Sequence, residues 1–177
     1  MNQQLAKRKK QAGATLMEII MWLAIAGMVI GGALSLGGIA TSSANTNDLI
    51  RDLTAIKTAT KGLYYGQGGY GTAVVNDSLV TAKRVPDSWT VNTATTPNTI
   101  THQLNGTVTV TGATTTFTVA VTNLPQDVCA SLMTTGGSGW VSVKANASPA
   151  RTPPVAPATA AADCGASSAN TLTFTAQ

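Results

Sequence analysis

The run from Ile19 to Ala40 constrains this chain more than any other stretch. Ser35 alone interrupts a series of apolar and glycine residues. A helix rises about 1.5 Å per residue, so about 20 such residues cross a hydrocarbon layer. Lys7, Arg8, Lys9 and Lys10 precede the run, and the next basic residue is Arg51. That asymmetry predicts a cytoplasmic N-terminus, with the chain beyond Ala40 across the membrane. A cleavable secretory signal would have a shorter apolar core followed by an Ala-x-Ala-like site. Here the small residue, Gly13, lies before the run, and Glu18 sits near its start. An acid at the edge of an uncharged span is costly to bury and needs a partner.

Basic leader, Gly13, the apolar start Ala14-Thr15-Leu16-Met17 and Glu18 fifth after the glycine resemble the type IV prepilin signature. The resemblance implies that a prepilin peptidase cuts after Gly13 and methylates the new N-terminus at Ala14. It also implies that Glu18 pairs with the Ala14 ammonium of a neighbouring subunit and sets register as a filament grows. The mature chain would begin with Ala14, where the family usually has a larger apolar residue.

Eleven basic residues face seven acidic ones, but four of the eleven belong to the leader, leaving seven against seven. The basic character therefore belongs to the precursor and offers no nucleic-acid surface. Cys129 and Cys164 fall in the part expected outside the cytoplasm, where an even count reads as one disulfide. His102 is the single histidine and supplies no metal set, so neither metal nor cofactor is expected. A membrane-anchored enzyme finds no clustered carboxylates, free thiol or nucleophile motif to work with.

In chain order, residues 1–13 read as leader, 14–40 as transmembrane and filament-core helix, and 41–65 as its amphipathic continuation. Leu49, Ile50, Leu53, Ile56 and Leu63 recur near helical spacing. Gly27, Gly31, Gly32, Gly37 and Gly38 each weaken the helix by about 1 kcal/mol. They allow either close helix packing or unwinding around Gly31 to Gly38. A linking loop is expected over 66–88. Its Gly66-Gln-Gly-Gly-Tyr-Gly71 matches a dinucleotide fingerprint in form only, because it follows a helix and no helix pattern succeeds it.

Residues 89–177 read as a β-sheet head. Short strands are expected at Trp89–Val91 and Thr99–Thr101, and alternating ones at Gly106–Thr111 and Thr116–Thr122. Turns are expected at Asn105-Gly106 and Gly112-Ala113. A short helix over Asn123–Gly136, a strand over Gly139–Ala145, an irregular loop over Ser148–Ala162 and a last strand over Thr171–Ala176 complete the head. The fold class is α+β, a long N-terminal helix packed against an antiparallel sheet. Asn76-Asp-Ser78, Asn105-Gly-Thr107 and Asn146-Ala-Ser148 fit a glycosylation pattern, but read better as turns.

The order strand, Leu124-Pro125-Gln126-x-x-Cys129 helix, Trp140–Lys144 strand, Pro/Ala loop, Cys164-Gly165, strand resembles the type IVb pilins. Subunits of toxin-coregulated and conjugative thin pili belong to that branch. The resemblance implies a disulfide bounding an exposed region, roughly 129–164. It implies a major pilin that polymerises into a homo-oligomeric surface filament for adhesion, aggregation or conjugation. Its partners would be the peptidase and the inner-membrane assembly machinery. A minor pilin or a secretion-system pseudopilin is the alternative.

Overall fold

The computed structural model describes the backbone of residues 16–177, and the side chains of 16–28 and 43–177. The leader, Gly13 and Ala14 lie outside the described residues. The chain divides into two units, Met1–Ala40 and Thr41–Gln177. Helix α1 runs over Leu16–Leu63 among the described residues, ending two residues before the expected C-terminal bound.

In the first unit the described backbone is helical throughout, including Gly27, Gly31, Gly32, Gly37 and Gly38. Unwinding was expected of subunits packed in a filament, a state that a single chain does not represent. Among the described residues no helix is long and apolar enough to cross a membrane. The side chains of 29–42, which make up much of the expected span, lie outside the described residues.

In the second unit the expected stripe faces inward. Leu49, Leu53 and Ile56 are buried, with Ile50 and Leu63 packed against them. They join one cluster with the inner face of a six-stranded sheet. Its strands are β1 (Thr90–Asn92), β2 (Thr99–Thr101), β3 (Thr107–Ala113), β4 (Thr116–Leu124), β5 (Ser142–Ala145) and β6 (Asn170–Ala176). All pairings are antiparallel, in the order β1-β2-β3-β4-β6-β5. Alternation puts Val108, Val110, Phe117, Val119, Val121, Leu172 and Phe174 inside. It puts threonines outside, paired across strands as in Thr111–Thr118 and Thr118–Thr175. The last strand of the chain thus lies between β4 and β5, a placement that adjacency in sequence would not give.

Several local expectations need correction. Gly112 and Ala113 belong to β3, and the β3–β4 turn falls at 114–115, where Thr114 takes a positive φ of 56°. Strand β5 begins at Ser142, three residues later than expected. The linking loop contains a helix, α2 (Asn76–Thr81). The expected Asn123–Gly136 helix is α3 (Gln126–Ser131) followed by a π-helical turn, Leu132–Gly136. The Pro/Ala run is not irregular throughout. Pro157 starts a further helix, α4 (Pro157–Asp163), because proline's fixed φ suits a first helical turn and the following alanines favour helix.

Candidate functional site

Two features stand apart from ordinary core packing: an apolar helix with one acid, and a covalently closed region at the end of the head. On the first, Leu16, Met17, Ile20, Met21, Trp22, Leu23 and Met28 are all exposed, Met28 by 83%. Glu18 lies in the first turn of α1, where its charge suits the positive end of the helix dipole. So dense an apolar surface is unstable in water and calls for a cover. A side chain at Gly27 would meet nothing within 4 Å, so nothing in the single chain demands glycine there. Ala14, the expected partner of Glu18, lies outside the described residues, as do the Cβ positions of Gly31, Gly32, Gly37 and Gly38.

In the head, Cys129 on α3 and Cys164 after α4 form the expected disulfide. Both are buried, and Met133 lies against Cys164. The enclosed segment is fastened at further points that sequence reasoning missed. Arg151 donates from Nε and Nη2 to the two oxygens of Asp163, at 2.8 and 3.1 Å. Those bonds hold the Asp163 carboxyl below its ordinary pKa and raise that of Arg151. Arg151 also exchanges backbone bonds with Val143, so the segment covers part of the outer edge of β5. Buried Asn170 donates to the carbonyls of Leu124, Gly165 and Ser167, and its Oδ1 accepts from Asn146. The amide of Asn146 is thus committed to the head's own structure, as is that of Asn76. Neither serves as a free acceptor site.

The linking loop shows why its glycines are there. β2 covers only the first residues of β3, leaving the rest of that edge open. Residues 70–76 take its place. Tyr70 N–H donates to Thr114 O, Gly112 N–H to Ala73 O, and Val75 N–H to Val110 O. Asn76 completes the edge, accepting from Val110 N–H and donating to the Val108 carbonyl. A Cβ on Gly112 would run into the Tyr70 carbonyl, and one on Gly69 into the Thr114 carbonyl. Tyr70 bridges Tyr64 and Phe117, with ring centroids 5.6 and 4.7 Å away. The fingerprint-like glycines thus serve close backbone approach and turning. Tyr65, beside them, is exposed.

Where α1 meets the closed region, Lys57 donates to the Gly139 carbonyl and sits 5.0 Å above the Trp140 ring. Burial, then Lys61, lowers its pKa. Two shallow grooves of about 270 and 240 Å³ lie along the π-helical turn, lined chiefly by hydroxyls, glycine and proline. The hydroxyls of Thr134 and Thr135 already donate to helix carbonyls. Among the described residues no group of three or more His, Cys, Asp or Glu could hold a metal ion.

The head has counterparts in known proteins. A family model described as PilS N terminal matches residues 43–177. The type IVb pilin of Salmonella typhi is similar in structure, with a TM-score of 0.60 and 25% identity over 71% of this chain and 95% of that one. TcpA, a type IV pilin of Vibrio cholerae El Tor biotype, shares the fold. Its TM-score is 0.53 at 15% identity, over 75% of this chain and 99% of that one. None of the curated proteins searched matches the chain.

Proposed function

The chain belongs to the PilS family and is a type IVb-like pilin, and from that premise we propose that it is the major subunit of a surface pilus. Pilins assemble into extracellular filaments, and the family is structural rather than catalytic. The observation that carries the finer reading is the exposed apolar face of residues 16–28 with one acid, Glu18, in it. Such a surface is compatible with a bilayer before assembly and with a bundle of like helices afterwards.

On this reading residues 14–40 anchor the precursor in the inner membrane until the peptidase removes residues 1–13. In the filament core an unpaired carboxylate would cost several kcal/mol, so Glu18 takes the Ala14 ammonium of a neighbour. Gly27, Gly31, Gly32, Gly37 and Gly38 let the helices of that core approach closely. The 129–164 region of the head is the part offered outward, for adhesion, aggregation or conjugation.

Intact mass and N-terminal analysis of material sheared from cells tests the reading. A dominant species beginning at methylated Ala14 supports a major subunit, whereas a trace component points to a minor pilin. An uncut chain retained in membranes overturns the proposal. Glu18→Ala should leave cutting and membrane insertion intact while abolishing normal filaments. Abundant filaments from that variant would remove the registry role.

A further inference from the structure

His102 is the one histidine of the chain, buried to 2% exposure at the start of the β2–β3 turn. Both ring nitrogens are engaged. Nε2 lies 2.9 Å from the Thr122 carbonyl and must donate to it. Nδ1 accepts from the Leu104 backbone N–H at 3.2 Å. This pattern requires the neutral imidazole, because an acceptor nitrogen has no proton of its own. In the imidazolium Nδ1 carries a proton that points at the Leu104 N–H, so the charged ring cannot keep this turn.

The turn in question fastens two other elements. Gln103 Nε2 donates to the Asn45 carbonyl on α1, at 3.4 Å. The Leu104 carbonyl accepts from Asn123 Nδ2 at the end of β4, at 2.9 Å. Space for relaxation is small: a Cβ on Gly106 would collide with the Thr122 carbonyl and the His102 ring. Among the described residues no ion pair involves the His102 ring. β2, β3 and β4 contain no ionisable residue. On α1 the nearest ionisable residues to Asn45 are Asp48, Arg51 and Asp52, with Arg51 placed between the two acids. Asp52 also accepts from Ser88. On α3, Asp127 has an interaction of its own.

We propose that the β2–β3 turn is an acid-sensitive latch, in which proton uptake by His102 breaks the Leu104 bond and frees residues 102–106 from α1 and β4. Burial lowers the pKa of His102, in keeping with a closed form that refuses the proton. The opened turn exposes the ring to water and restores an ordinary histidine, so the open population grows as pH falls below about 6.5. This latch is a property of the head and does not depend on the major-pilin reading.

Amide exchange across pH on the full chain in detergent micelles tests it, with the His102 ring shifts followed in the same samples. Protection of Leu104 and Asn105 should fall about tenfold per pH unit below about 6.5, the slope of a one-proton opening. Val110 and Val119 in the sheet should show no such slope, and His102→Gln should abolish it. Flat protection at Leu104 down to pH 4.5, an equal slope at Val119, or persistence of the slope in the variant would each overturn the latch.

Discussion

Asn76, Asn146 and Asn170 show how much of this head rests on single polar residues doing the work of backbone. Asn76 stands in for a strand beside β3, and Asn170 gathers three carbonyls of the loop after Cys164. The Arg151–Asp163 pair makes the same kind of fastening with charge, and so responds to pH. Its carboxyl has a lowered pKa when folded, chiefly through the Arg151 hydrogen bonds. The unfolded chain therefore takes up a proton first, and the pair's contribution is complete above about pH 4 and lost as pH falls through the lowered value. Asp163→Asn should lower the midpoint of thermal unfolding at neutral pH, with the difference from wild type shrinking toward pH 2. A constant difference across that range would show that the pair's charge contributes nothing.

At the scale of elements, the disulfide decides how far the closed region can come apart. Cys129 and Cys164 are 35 residues apart, and cross-linking a loop of that order stabilises a fold by about 4 kcal/mol on the chain-entropy account. Replacing both cysteines with Ser should lower the denaturant midpoint accordingly, with protease cutting appearing first between 148 and 164. An unchanged midpoint and cutting pattern would mean that Arg151 and Asn170 suffice. The disulfide, the stripe on α1 and the threonine-valine strands were all legible from sequence, because each is a local period or a count. Strand order was not, since β6 alternates like its neighbours and nothing in that pattern says that it lies between β4 and β5. Helix α2 was missed because its anchor, Asn76, works through bonds to residues more than twenty positions away. Helix α4 was missed because prolines at 153 and 154 made the whole run look irregular, although Pro157 with its alanines carried a usable helix signal. Glu18 drew notice through its position beside an uncharged run, and its proposed pairing rests on that position. The Lys57–Trp140 and Arg151–Asp163 contacts had no local signal at all.

For the whole molecule, the proposed cut after Gly13 would change net charge sharply. The full chain has a formal charge of +4 and an isoelectric point near 9.3. Four cations sit in residues 7–10 and none in residues 11–50, so the proposed cut after Gly13 would remove the entire excess at once. The remaining seven cations and seven acids balance, and the outer sheet face adds Lys144 to threonines and little else. Proteins near zero net charge repel one another weakly and associate readily. Two outcomes follow for sheared, processed material. Isoelectric focusing should place it near neutrality, about two units below the precursor. Filaments should also bundle near pH 7 and disperse as pH moves away in either direction, because every titration then adds charge of one sign. Bundling that is indifferent to pH would assign lateral association to the hydroxyl-covered sheet itself, and a focusing position unchanged from the precursor would mean that the leader is still attached.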